Sequence, residues 1–231
     1  MRVLSIVHEP TSTGGGGLFE EVVERRGDRL ERWVTVDGGA APDTAGSYDA
    51  IMVFGGAMHP DQDDRFAWLE REEEFLQEVL AEEVSVFGVC LGAQMLARAA
   101  GARVGPAREP EVGWLEVALT PEGEADPILG VLPQRATVFQ WHHYTFETPS
   151  GGTELARSEI CTQAFRLVQP AWGIQFHAEV TLPIVTAWSR EDPDELPMSA
   201  DELWRQSAAH IDRSTDQGRA LAASFLREAS H

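Results

Sequence analysis

Cysteine is almost missing from this chain: 231 residues contain two, Cys90 and Cys161. Two do not make the disulfide framework of a small secreted scaffold, and a thiol that reacts needs a reducing compartment. Basic residues are scarce as well, 18 against 38 acidic ones, for a formal net charge of −20. Such a balance speaks against a nucleic-acid partner or an anionic membrane surface, since both require clustered cations. No run approaches the ~18 apolar residues of a membrane span. The chain opens directly on a strand-like segment, residues 2–7, with no basic-then-apolar leader, so a soluble cytoplasmic protein is expected. His8, His59, His142, His143 and His177 fall in none of the short His or Cys spacings of zinc sites, and neither a metal nor a cofactor is expected.

What is present reads as alternating strand and helix. Residues 2–7, 32–36 and 48–54 are apolar, strand-like runs, the third ending at Gly55-Gly56. A glycine run, 14–17, leads into a helix around 18–26; no Gly-Lys-Ser/Thr follows it, so it is a turn and not a phosphate loop. From 66 to 83 apolar residues recur at Phe66, Leu69, Leu76 and Leu80, widened by Phe75 and Val79, the stripe of a surface helix packed on a sheet. The expected fold is therefore α/β: an open, mostly parallel twisted sheet flanked by helices. Residues 113–119 and 136–141 are strand-like but separated by Pro121, Pro127 and Pro133, and predict a smaller antiparallel or mixed extension. Strands near 164–168 and 171–176 follow, then an acidic, proline-broken loop at 191–197. Ser199 with Glu202, and Ser214 with Gln217, read as capping boxes opening two last helices. The length fits one α/β domain over residues 1–231, with 199–231 as a helical extension.

The stretch 84–101 organises the rest. Val84, Val86, Phe87 and Val89 form a strand buried on both faces, and an Ala/Leu/Met-rich helix follows, stopped by Gly101. Cys90 sits at the joint, flanked by Gly88 and Gly92. A side chain at such a turn is lifted off the sheet while the first helix amides point back at it, and amides and dipole together favour a thiolate. In parallel sheets, sites form beyond the carboxyl ends of the strands, which is where Gly55, Gly56 and Cys90 fall. A nucleophilic cysteine needs a base and a group to orient that base. His177 and Glu179, two positions apart after an apolar run, would share one face if that strand continues through them.

Gly88-Val89-Cys90-Leu91-Gly92-Ala93-Gln94 and Gly173-Ile174-Gln175-Phe176-His177-Ala178-Glu179 closely resemble the G-x-C-x-G-x-Q and Q-F-H-P-E motifs of class I glutamine amidotransferases. The resemblance extends to Phe54-Gly55-Gly56, to 140–146 and to 163–166, covers roughly residues 1–185, and is greatest to free-standing proteins similar to the amidotransferase domain of GMP synthase. It implies a flavodoxin-like core and no cofactor. It also implies roles: Cys90 attacking the glutamine amide carbon, His177 as base and then acid, and Glu179 orienting His177. Gly55 and Gly56 with Leu91 would shape an oxyanion hole from the Gly56 and Leu91 amides. Gln94 and the backbone at His143 and Tyr144 would grip the amino-acid end. Two departures stand out. Ala178 replaces the motif's proline, and His142-His143-Tyr144 stands where the nearest relatives show His-Gly-Asp. Three readings follow: a glutaminase passing ammonia to a separate synthetase, a γ-glutamyl peptidase with the same triad, and a non-catalytic regulator.

Overall fold

The structure, a computed structural model, describes residues 1–9, 15–191 and 193–230. Strand β1 (Arg2–Val7) leads to helix α1 (Gly17–Arg26), β2 (Arg29–Val34), β3 (Ala50–Val53), α2 (Trp68–Ala81), β4 (Ser85–Val89) and α3 (Leu91–Ala99). Then come β5 (Val104–Leu119), the single turn α4 (Pro121–Glu124), β6 (Arg135–Phe146), β7 (Thr153–Arg157), β8 (Thr162–Arg166) and β9 (Ala171–Ile174). Two helices end the chain, α5 (Leu182–Glu191) and α6 (Ala200–Glu228). The glycine run before Gly15 and Asp192 of the acidic loop lie outside the described residues.

All nine strands form one sheet in the order β2-β1-β3-β4-β9-β8-β7-β5-β6. Pairing is parallel from β2 through β9 and antiparallel from there to β6, so the expected mixed extension is the far half of the same sheet. Successive residues of the parallel strands feed opposite layers. Val3, Met52 and Phe87 pack with α1 and α6 through Phe19, Val23 and Phe225, while Leu4, Ile51 and Val86 pack with α2 and α3 through Leu69, Leu76 and Leu96. That period of two, apolar on both faces, is what a covered parallel sheet requires.

Four expectations need correction. The second strand is Arg29–Val34, three residues earlier than read, because Thr35–Asp37 closes into a short 3-10 turn. β5 starts nine residues before 113: its first half pairs with β6 alone, so Pro106 and Pro110 need no partner on their other side. The two terminal helices are one helix of 29 residues, capped by the Ser199 hydroxyl accepting from the Glu202 amide, with Ser214 buried in its middle. Finally, β9 stops at Ile174, so His177 and Glu179 lie on the turn beyond it.

Candidate active site

Cys90 follows the last residue of β4 and caps α3 with φ 51° and ψ −111°. For a side chain larger than glycine's this backbone costs about 1–3 kcal/mol and persists only where its surroundings enforce it. They do: the Cys90 amide donates to the Ile174 carbonyl at 2.8 Å, and the Gln94 amide donates to the Cys90 carbonyl at 3.0 Å. The turn is also tight against β3, where a β-carbon on Gly92 would fall 2.2 Å from the Val53 carbonyl oxygen. Cys90 is thereby raised at the carboxyl edge of the sheet, in the wall of a cavity of about 450 Å³.

The turn after β9 brings the candidate base to the same cavity. His177 is fixed by its amide, which donates to the Phe139 carbonyl of β6 at 2.8 Å. Its Nδ1 donates to Glu179 Oε1 at 2.7 Å, and both residues are 3% exposed. The pairing expected of a continuing strand is thus made by a turn. Helix α1 holds the far side, the Leu18 amide donating to the Glu179 carbonyl at 2.9 Å. Nε2 of His177 is buried without a hydrogen-bond partner among the described residues. A β-carbon on Gly55 would stand 3.0 Å from His177 Cε1 and 3.6 Å from Cys90 Cβ, so the imidazole and the cysteine both pack against that glycine. Burial works to lower the His177 pKa, but the Glu179 carboxylate and the Cys90 sulfur outweigh it and raise it to about 10. The ring is cationic at neutral pH. Trp188 meets its edge at 4.8 Å and helps keep water from it.

Gly55, Gly56, Leu91, Gln94, His143 and Tyr144 all line the same cavity as Cys90, His177 and Glu179. Gln94 Nε2 donates to the Tyr144 carbonyl at 2.9 Å and to Gln175 Oε1 at 3.1 Å. With both amide hydrogens engaged, Gln94 can offer a ligand only its carbonyl oxygen, an acceptor suited to an ammonium group. Tyr144 stacks on His59 at 4.0 Å, and its hydroxyl donates to Asp61 at 3.3 Å.

Several neighbours escape a reading by motif. His8 and Glu72 are wholly buried beneath Gly55. Position alone points to both: His8 follows β1 at the site edge of the sheet, and Glu72 sits at a core position of α2 between Leu69 and Leu76. Glu111, His142 and Cys161, from three separate segments, place one donor atom each within 4.8 Å of one another. Spacing in sequence cannot reveal such a group. Its chemistry is that of a hydrogen-bonded hub, because Glu111 Oε2 accepts from Gln163 at 2.8 Å, Ser158 at 3.1 Å and Cys161 at 3.3 Å. Burial, with the nearby Glu111 carboxylate, pushes the Cys161 thiol up to about 11, which keeps it a donor. His142 Nδ1 donates to the Tyr144 carbonyl at 2.9 Å, so the hub braces the same carbonyl that Gln94 grips.

A covered parallel sheet with a cysteine at the elbow of one strand and a bonded His–Glu pair beyond the next defines an α/β protein with a candidate cysteine nucleophile. The glutamine amidotransferase class-I family model matches residues 18–184, and the chain belongs to that family. It is similar to the glutamine amidotransferase-like protein YfeJ of Salmonella typhimurium, 28% identical over 215 residues that cover 91% of this chain and 89% of that one. It also resembles one subunit of the glutamine-hydrolyzing GMP synthase of Pyrococcus abyssi, 30% identical over 162 residues covering 66% and 81%. Among solved structures, a glutamine amidotransferase of Thermotoga maritima matches with a TM-score of 0.88 and 27% identity over 98% of both chains. No helix of the described residues is long and apolar enough to cross a membrane.

Proposed function

We propose that this chain hydrolyses the side-chain amide of glutamine through a thioester on Cys90. The 2.7 Å Glu179–His177 bond, made in the cavity that Cys90 and Gln94 also line, carries the reading. The proton given up by the Cys90 thiol is held on His177, and the sulfur attacks the amide carbon. Charge gathers on the amide oxygen, where the backbone amides of Gly56 and Leu91 would receive it, each such donor being worth ~3–4 kcal/mol. His177 then gives its proton to the nitrogen, the C–N bond breaks, and ammonia leaves. Water attacks the thioester with His177 as base, freeing glutamate and restoring the thiol. Glu179 keeps the ring oriented and stabilises its cationic form. The Gln94 carbonyl accepts from the substrate ammonium.

Ammonia would pass to a separate synthetase, as the likeness to a GMP synthase subunit supports. A second reading, a γ-glutamyl amide or peptide as substrate, is favoured by Tyr144 and its stack on His59, which put an aromatic wall in the same cavity as Cys90. Purified protein offered glutamine and γ-glutamyl peptides side by side separates the two, because a pocket built to bond one substrate rejects a poor match strongly. Cys90→Ala should abolish glutamate release from both while leaving the thermal melt in place. Glutamate release that survived Cys90→Ala would overturn the assignment.

A further inference from the structure

His8 and Glu72 form an ion pair at 2.8 Å with both side chains 0% exposed. Burying two charges costs several kcal/mol per ion, returned only when every lone pair finds a partner. Here the return is incomplete, since Glu72 Oε1 is buried with no hydrogen-bond partner among the described residues. Stability is a poor reason for such a pair. Its other contact gives a better one.

His8 Nε2 meets the Glu72 carboxylate, and Nδ1 donates to the Gly55 carbonyl at 3.0 Å. Both partners are oxygen acceptors, so both ring nitrogens carry protons when Glu72 is ionised. Trp68 stacks on the ring at 5.2 Å and 25° and fixes its plane. Burial acts to lower the His8 pKa, and Glu72 overrides it in the raised direction. One residue earlier, the Phe54 carbonyl is held by the Gly92 amide at 3.1 Å. The peptide joining Gly55 to Gly56 therefore hangs between two anchors, α3 and His8. That peptide is trans. In a trans peptide the carbonyl and the following N–H point in opposite directions, so drawing the Gly55 oxygen toward His8 turns the Gly56 N–H away from it, toward the cavity. The approach is close, since a β-carbon on Gly56 would fall 2.8 Å from His8 Cβ.

We propose that His8 and Glu72 are positioning residues that aim the Gly56 amide at the oxygen which gains charge when Cys90 attacks. This rests on the amide-hydrolysis reading above. Neither side chain need touch the substrate; Glu72 sets the ring, the ring sets the peptide, and the peptide presents the donor. A donor of this kind acts in the transition state more than in the ground state, so its loss appears in kcat and leaves KM nearly alone.

Conservative pairs separate positioning from bulk. His8→Asn puts an amide nitrogen near the place of Nδ1 and can keep the Gly55 bond; His8→Gln puts it near Nε2 and loses that bond. Glu72→Gln can donate to Nε2 while Nδ1 retains its proton; Glu72→Leu cannot. With glutamine and a γ-glutamyl anilide as substrates, His8→Gln and Glu72→Leu should lower kcat about 10²-fold with KM within about threefold. His8→Asn and Glu72→Gln should each recover about tenfold or more of that loss. Alkylation of Cys90 by iodoacetamide forms no oxyanion, so its rate should stay within about threefold of wild type in all four. If a disruptive variant does not fold, its conservative partner and the other pair still decide. Equal losses within each pair, or alkylation falling in step with kcat, would overturn the positioning role alone. A wild-type protein that alkylates normally yet turns over neither substrate would overturn the hydrolysis reading and the role built on it.

Discussion

The proton on His177 is set by its neighbours. Removing the Glu179 charge while keeping its shape, as in Glu179→Gln, takes away the largest influence that raises the ring's pKa, so that burial is opposed by the Cys90 sulfur alone and the proton is held less firmly. The proton needed by departing ammonia is then less often in place. Glutamate release should fall about 10²- to 10⁴-fold, the range for a mispositioned acid–base group. The same interaction has a signature in stability. The folded pKa, about 10, lies above the ordinary histidine value near 6.5, so the stabilising contribution is complete below about pH 6.5 and fades as pH rises toward 10. No lysine titrates in that window, since all 18 basic residues are arginines, and the His8–Glu72 pair, whose histidine pKa is also raised, is common to wild type and variant. Thermal melts from pH 6 to 10 should show wild type losing stability while Glu179→Gln stays flatter. Parallel curves would mean that the ring is not held in its charged form.

Among the elements, the parallel half of the sheet and the elbow after β4 were legible because both are local: apolar runs of strand length, a glycine-bracketed cysteine, an amphipathic helix. What escaped depends on tertiary contact. Residues 182–191 carry the β-branched Ile184, Val185 and Thr186, which lower helix propensity, yet α5 forms because Ile184 and Val185 are buried. β7 is five residues with charged Glu154 and Arg157, and it exists because β8 and β5 flank it. Glu72 falls among the core positions of α2, but its partner His8, 64 residues away, shows only in the fold. The plainest case is Gly218, which by sequence weakens a helix near an apparent new start. In the fold it lets α6 rest on the active turn, since a β-carbon there would lie 1.9 Å from the Ala178 carbonyl oxygen, between His177 and Glu179. Gly218→Ala must move the helix or the turn, at a cost of about 1–3 kcal/mol by overpacking. The melting midpoint should drop by roughly 2–12 °C and kcat should fall with it. A variant equal to wild type in both would show that α6 does not set the 177–179 turn.

For the whole molecule the governing quantity is the charge of −20, 38 acidic residues against 18 basic ones. Two opposite salt effects compete. Exposed pairs such as Arg25–Glu21, Arg135–Glu116 and Arg157–Glu154 lose attraction as ions screen them. Each is worth only about 0–1 kcal/mol, and often nothing measurable. Against this stands an excess of 20 carboxylates over guanidinium groups, whose mutual repulsion favours expansion and is screened over ~10 Å at 0.1 M ionic strength. The buried His177–Glu179 and His8–Glu72 pairs are shielded from the solvent and hardly respond. Repulsion is the larger sum, so raising sodium chloride from 10 to 200 mM should lift the melting midpoint. Each kcal/mol gained corresponds to about 2–4 °C for a chain of this size. Chloride and sulfate compared at equal ionic strength separate screening, common to both, from the added stabilisation that sulfate brings by exclusion from the surface. A midpoint that falls with chloride would mean that the surface ion pairs outweigh the excess acid, reversing the balance drawn from the sequence.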